Sequence, residues 1–502
     1  MKYFLFVLLI FTTYSANSQN RNSVWCFGDS AGIDFSSGIP VPIESGMDSR
    51  GSCASIADTN GNLLFYAATM RAYASVTSHS TFVYDANNNI MQNGDSIVGR
   101  VWYQELVIVP NPALDSTYYL FSLSVTENYG ICYSIIDMRL NGGLGAVTVK
   151  NIQLQSFEQV DCINAVKHGN GRDWWLFFRK SDFSVSMSNN DYYSYLITPD
   201  SIQNFSVQTI GVQNRTNNGH IIFSPNADKL VFINLLGVVE LFDFDRCTGL
   251  LSNHNLIESD PGIGPYPYTW SCEFSPDASK LYISTDKDTC YLYQYDLNAA
   301  NVSASKDTLW FTNFPENVLG SLKLGPDNKI YLCNQYFNGF NVPYPYADSV
   351  YNMYNMNLSV INQPDSLGIS CDFQPYSYYL GGKRAYKGLP NNPDYEMPAL
   401  LGSSCDTIVG ISEEQPTILN PQLSIFYHNE WQTAFINANN LTGTKGTLEI
   451  FDVQGKMIHQ ENIQIVNGYY TRNFNMTGMA DGMYFVNLIT EGKRLSGKLV
   501  KN

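Results

Sequence analysis

Six histidines, a few paired carboxylates and three aromatic loops are the parts of this 502-residue chain with chemistry to offer. The histidines are His79, His168, His220, His254, His428 and His459. His220 opens the apolar stretch "HIIFSPNA", where an imidazole could face an internal channel; a hydrogen-bonded structural histidine is the plainer reading. Asp243 and Asp245 in "FDFDRCTG" alternate, so in a strand they share one face. Two carboxylates on one side suit cation binding or acid–base work, yet such residues more often end a strand and cap its turn. "DTNGN" at Asp58–Asn62 resembles the start of a calcium loop but lacks the downstream Glu that completes one, so it reads as a tight turn. The chain has no H-E-x-x-H, no P-loop, no CxxC pair and no Cys/His cluster. Neither a metal nor a cofactor is expected.

The aromatic loops are the better lead. "GRVWYQE" spans Gly99–Glu105, "GIGPYPYTW" spans Gly262–Trp270, and "QYFNGFNVPYPY" spans Gln335–Tyr346. Exposed Trp and Tyr offer flat, rigid contact area for a sugar or a peptide. Trp102, Glu105, His220, Tyr266, Tyr268, Trp270 and Tyr336 are therefore the candidate ligand-binding residues. The competing reading packs these rings between neighbouring sheets.

A repeat positions these loops. "FSPNADKLVFIN" at Phe223, "FSPDASKLYIST" at Phe274 and "LGPDNKIYLCN" at Leu324 each join two apolar strands through a tight polar turn. The same shape surrounds Asp58, Pro110 and His168, and a seventh version surrounds Pro375, all spaced by roughly fifty residues. Four short strands at this period are the mark of a β-propeller, in which each sheet covers a face its neighbour cannot shield. Long helical patterns are missing. The expected fold is all-β: a seven-bladed propeller, with six blades as the alternative, and a C-terminal immunoglobulin-like β-sandwich. The unit at "CDFQPYS" (Cys371) looks incomplete, and "SVWCFGDSAGIDFSSG" at Ser23–Gly38 is expected to complete it and close the ring. Loops entering the innermost strands then gather at one end of the channel.

Residues 1–18 read as a signal peptide, with Lys2 before the apolar run "YFLFVLLIF" and Ala16 and Ser18 before the cut. The propeller is expected over 19–390, a proline-rich linker over 391–415, and the sandwich over 416–502. No other segment is long and apolar enough to cross a bilayer as a helix. Net charge is −16, which disfavours nucleic acid and anionic lipid as partners. Ten cysteines in an exported chain allow disulfides, but several lie in apolar strands where a thiol acts as a small hydrophobe; both uses stay open.

The last stretch resembles the C-terminal sorting domain of type IX secretion cargo from the Bacteroidetes. "LEIFDVQGKMI" (Leu448–Ile458), "MADGMYFVNL" (Met479–Leu488) and "GKLVKN" (Gly497–Asn502) carry the match. Within them stand Asp452, Gly455, Lys456, Gly482, Tyr484, Lys498 and Lys501. The opening "NPQLSIFYHNE" matches the family's usual Pro-Asn-Pro start only loosely. The resemblance implies the type IX machinery as partner, passage through the outer membrane, and a location outside the cell or on its surface. The first part is similar to WD-repeat-like domains found on such cargo, through "WCFGDSAGIDF", "SIADTNGNLLFY", "FDFDRCTG", "YQYDLNA" and "KGLPN". That family implies a shape and no activity. The functions left open are a binding module for glycan or protein, a hydrolase or lyase acting on extracellular polymer, and a structural surface protein.

Overall fold

The computed structural model describes residues 20–70, 78–125, 129–181, 189–260, 268–286, 289–313, 317–336, 350–406, 422–428, 432–439, 441–465, 470–490 and 493–501. The expected signal peptide and Tyr266 lie outside the described residues. Two compact units are present, Met1–Val409 and Gly410–Asn502.

The first unit is a propeller of antiparallel sheets, and sheets two to six are each laid down in chain order from the axis outwards. The innermost strands of sheets two to six are Leu106–Pro110, Asn164–Lys167, Gly219–Phe223, Tyr268–Phe274 and Asn317–Leu324. The 17-residue strand Val41–Ala57 serves two sheets. Its first half pairs with Asp29–Asp34, and its second half pairs with Leu63–Met70 as the inner strand of sheet one. The repeated turn has a simple local cause. Ser224 N donates to Lys229 O (3.0 Å) while Ser224 Oγ accepts from Lys229 N (3.0 Å). Ser275 and Lys280 repeat both bonds. Each turn passes through a left-handed residue, at Ala227, Ala278 and Asn328.

Strands deep in the ring read as continuous apolar runs because both faces are covered. Trp174–Arg179 is buried at every position. Successive apolar clusters link the sheets in order. Ile56, Val107 and Leu176 join sheets one to three; Trp175, Phe177 and Leu230 join three to four. Val231 and Phe274 join four to five, and Tyr282 and Leu332 join five to six. Trp25, Cys53, Tyr331 and Tyr378 close the circle, with the Trp25 ring 5.7 Å from that of Tyr331.

The seventh sheet corrects the sequence reading in one respect. Val24–Phe27, Asp29–Asp34 and residues 41–48 supply its outer strands, as the ring-closing role of the N-terminal stretch required. Its inner strand does not come from the Cys371 stretch. Phe373–Tyr379 is the outermost strand of sheet six, paired with Asn357–Ile361. The inner position belongs to residues 384–391, "RAYKGLPN", bridged antiparallel through Asp29 and Arg384. Lys387 N donates to Arg50 O (3.1 Å), Ser321 N donates to Lys387 O (2.8 Å), and Asn391 N donates to Cys53 O (2.8 Å). The segment thus runs along the axis between sheets six and one. Only Gly fits at 388, where a Cβ would lie 2.0 Å from Gly51 O.

The stretch expected to be a linker continues this path. Asn391, Asn392, Tyr395 and Met397 are buried. Tyr395 Oη donates to Ile108 O (3.2 Å), Arg246 Nη2 to Pro398 O (2.7 Å), and Leu400 N to Gly169 O (2.7 Å). A disulfide, Cys247–Cys405, ties it to a turn of sheet four. The other eight cysteines are buried free thiols.

Among its described residues the second unit has seven strands in two sheets. Gln422–His428, Thr433–Asn439 and Tyr470–Asn475 form one; Met457–Gln464, Lys445–Asp452, Gly482–Thr490 and Lys493–Lys501 form the other. Ile436, Leu448, Ile450, Val486 and Leu488 fill the space between them.

Candidate functional site

The inner strands begin at one end of the channel, and the aromatic candidates are divided by what happens there. The loop 99–105 is folded by its own last residue. The buried Glu105 carboxylate accepts from Arg100 N (3.0 Å) and Trp102 N (2.8 Å). The Asp161 carboxylate accepts from Tyr103 N and Gln104 N, both at 2.8 Å. Burial, reinforced by the charge of Asp161, pushes the Glu105 pKa well up. Burial pushes that of Asp161 up to about 7, against the backbone N–H bonds and the nearby Arg50. Glu105 is therefore a fold-holding residue and not the exposed ligand contact the sequence suggested.

Trp270 does reach the mouth. Its ring stands edge-to-face with Tyr103, centroids 4.4 Å apart. The Lys387 ammonium sits 3.8 Å above it and pairs with Asp286. The Arg50 guanidinium lies 4.6 Å from the Tyr103 ring centre. This Arg50–Tyr103–Trp270–Lys387 stack takes up much of the ring area that a stacking ligand would use. Beside it lies a small hollow of about 20 Å³, the space of roughly one water molecule, lined by Tyr103, Asp161, Asn218, Asn234, Thr269 and Trp270 among others. Tyr268 begins the same strand as Trp270 and is half-buried. Trp102 is half-buried beside Tyr103, which lines the hollow. Tyr336 is not brought to this hollow; it stacks on Tyr354 with centroids 5.7 Å apart.

His220 lies on an inner strand and is held against the next one. Its Nδ1 takes a long hydrogen bond from Cys272 N (3.4 Å), and burial, with the charge of Lys323, pushes its pKa down to about 3. The axial space around it is filled. Gln104 both accepts from Ile221 N (2.9 Å) and donates to Ile221 O (2.8 Å). Asn391 Nδ2 donates to Leu106 O (2.9 Å) and Ile163 O (2.8 Å), and Lys323 Nζ donates to Asn392 O (2.7 Å). Arg50, Tyr103, Asp161, Asp286 and Lys387 were not singled out from sequence. They stand far apart along the chain, and only the ring assembles them. Among the described residues, no group of three or more His, Cys, Asp or Glu side chains is placed to hold a metal ion.

The tail motif has a local explanation. Asp452 Oδ1 accepts from Gln454 N and Lys456 N, both at 2.9 Å, and Gly455 turns the hairpin with φ of 78°. Tyr484 Oη donates to Ala480 O (2.6 Å), and the buried Lys501 Nζ donates to Met479 O (2.5 Å). Gly482 has φ of 147°. Lys498 is exposed.

A β-propeller with a small polar, aromatic hollow at one mouth, followed by a β-sandwich, is thus the class of protein that the fold and site define. Residues 431–502 match the family described as "Secretion system C-terminal sorting domain". The chain is type IX secretion cargo, delivered to the cell surface or beyond it. No curated protein matches it in sequence. Among solved structures it is similar to a putative 6-phosphogluconolactonase from Bacteroides fragilis, at 10% identity and a TM-score of 0.43, covering 74% of this chain and 98% of that one. It is also similar to a putative 6-phosphogluconolactonase from Bacteroides uniformis, at 15% identity and a TM-score of 0.40, covering 66% and 96%. A quinonprotein alcohol dehydrogenase-like protein from Bacteroides thetaiotaomicron matches at 12% identity and a TM-score of 0.36, covering 73% and 75%. No helix among the described residues is long and apolar enough to cross a membrane.

Proposed function

We propose that the propeller is a binding module that works outside the cell without catalysing a reaction, and that its ligand is a neutral glycan. One observation carries this reading: the ionisable groups at the mouth are committed to each other or to backbone, while Tyr103, Trp270, Asn218 and Thr269 line a small hollow beside them. Glu105 and Asp161 hold the 99–105 loop, and Asp286 is paired with Lys387. Ring edges with amide and hydroxyl donors match the mixed apolar and hydroxyl surface of a sugar. The net charge of −16 opposes polyanions.

The test is an array of neutral glycans and peptides probed with the full chain, followed by titration calorimetry of any hit. Trp270→Ala and Asn218→Ala should each weaken a saturable glycan interaction tenfold or more. Affinity unchanged in both variants removes the hollow from consideration. Asp161 favours a second reading, since a carboxyl near pH 7 lining a hollow has the acidity of a general acid. Both its oxygens already hold backbone N–H groups, which weighs against it. Release of reducing ends from a bound glycan, lost in Asp161→Asn, would establish that reading instead.

A further inference from the structure

The sorting domain must present something to the machinery that exports it, and several of its motif residues, unlike the exposed Lys456 and Lys498, are poorly placed to do so. Asp452 and Gly455 are used in a turn, and Tyr484 and Lys501 are buried in internal hydrogen bonds. These residues shape the domain. What remains readable is the outer face of the four-stranded sheet.

That face is apolar where a small soluble domain has reason to be polar. Met483 is 38% exposed, Phe485 43%, Val500 46% and Met457 44%. The register gathers them. Met483 stands opposite Val500, and Phe485 stands opposite Lys498 on one side and Phe451 on the other. Phe451 in turn pairs with Met457. The edge strand of this sheet carries charge of one sign, while Glu449 of the central strand shares the face and accepts from Gln460. Strand Lys493–Lys501, "KRLSGKLVK", exposes Lys493, Arg494 and Lys498 and contains no acid, in a chain of net charge −16. Arg494 and Lys498 share the parity of Val500, so they lie on the same face.

We propose that this face, centred on Phe485, Met483 and Val500 and edged by Lys498 and Arg494, docks on the export machinery. The surface that receives it is apolar, with acidic residues at its rim. The inference rests on the export reading of residues 431–502.

The experiment expresses the full chain in a type IX-competent host and measures the fraction outside the cell against the fraction retained. Phe485→Ser should cut export at least tenfold and Lys498→Glu severalfold, while protein recovered from the cells keeps the wild-type melting profile. Wild-type export of both variants overturns the proposal. If Phe485→Ser melts early, Lys498→Glu decides, because its side chain is exposed. Sedimentation of the wild-type chain adds a further check. A dimer that Phe485→Ser dissolves while export is unchanged assigns the face to a second copy, and that too overturns the proposal. Deletion of 431–502 is the separate control. Export that survives the deletion refutes the export reading itself and not merely the choice of face.

Discussion

Replacing Asn391 by Leu tests the closure of the ring directly. The substitution keeps the branched shape and the number of side-chain heavy atoms and removes the amide. Asn391 Nδ2 donates to Leu106 O and Ile163 O at the axis, where both strands are buried, and its Oδ1 accepts from Gln104 Nε2 (3.2 Å). Each carbonyl left without a partner costs about 1–3 kcal/mol. Gln104 keeps its two bonds to Ile221, so the two carbonyls set the scale, and the loss should be about 4 kcal/mol. Urea unfolding of the full chain, followed by tryptophan emission, reads this number. Gln104→Leu combined with Asn391→Leu should cost less than the two variants taken separately, because the shared Gln104–Asn391 bond is lost in each. A loss below about 1 kcal/mol for Asn391→Leu would refute the reasoning. It would mean that residues 384–391 do not occupy the axis and that the seventh sheet finds its inner strand elsewhere.

Two further outcomes follow from the same framework. Cys247→Ala with Cys405→Ala opens a link between residues separated by 158 positions, which in the chain-entropy account removes about 5 kcal/mol; calorimetric melts with and without reductant should show the variant matching the reduced wild type. His220 is protonated more readily in the unfolded chain than in the folded one, since its folded pKa is pushed down to about 3. Its contribution is therefore whole above about pH 6.5 and is lost as pH falls towards 3, with a slope of at most about 1.4 kcal/mol per pH unit. His220→Gln should flatten that limb in stability measured from pH 7 to 4, and an unchanged limb would place the acid sensitivity in other groups.

Much of the propeller was legible because its hairpins obey local rules. A polar turn between two apolar runs, written around Asp58, Pro110, His168, Pro225, Pro276 and Pro326, fixes the innermost pair of six sheets. The seventh was misplaced for a physical reason. Phe373–Tyr379 is an outer strand whose apolar run and Pro375 imitate that turn. The true inner strand, "RAYKGLPN", carries Gly and Pro and lacks any alternation. It needs none, because neighbouring sheets surround it and its bonds go sideways to Arg50, Ser321 and Cys53. The same blindness affected the mouth. Trp270 was visible as an aromatic in a loop, but Lys387 over its ring comes from more than a hundred residues away. Tyr336 shows the limit in the other direction, since a matching loop composition did not bring it to the hollow.

The closing arrangement also sets the order in which this polypeptide can mature. Arg21 N donates to a carboxylate oxygen of Glu396, a contact spanning 375 positions. Contacts of such separation form late, since the chain must lose loop entropy before they reward it. No shorter length of the polypeptide owns a finished circle. A nascent or translocating chain therefore cannot close its ring until its first and last propeller segments are both free on the same side of a membrane.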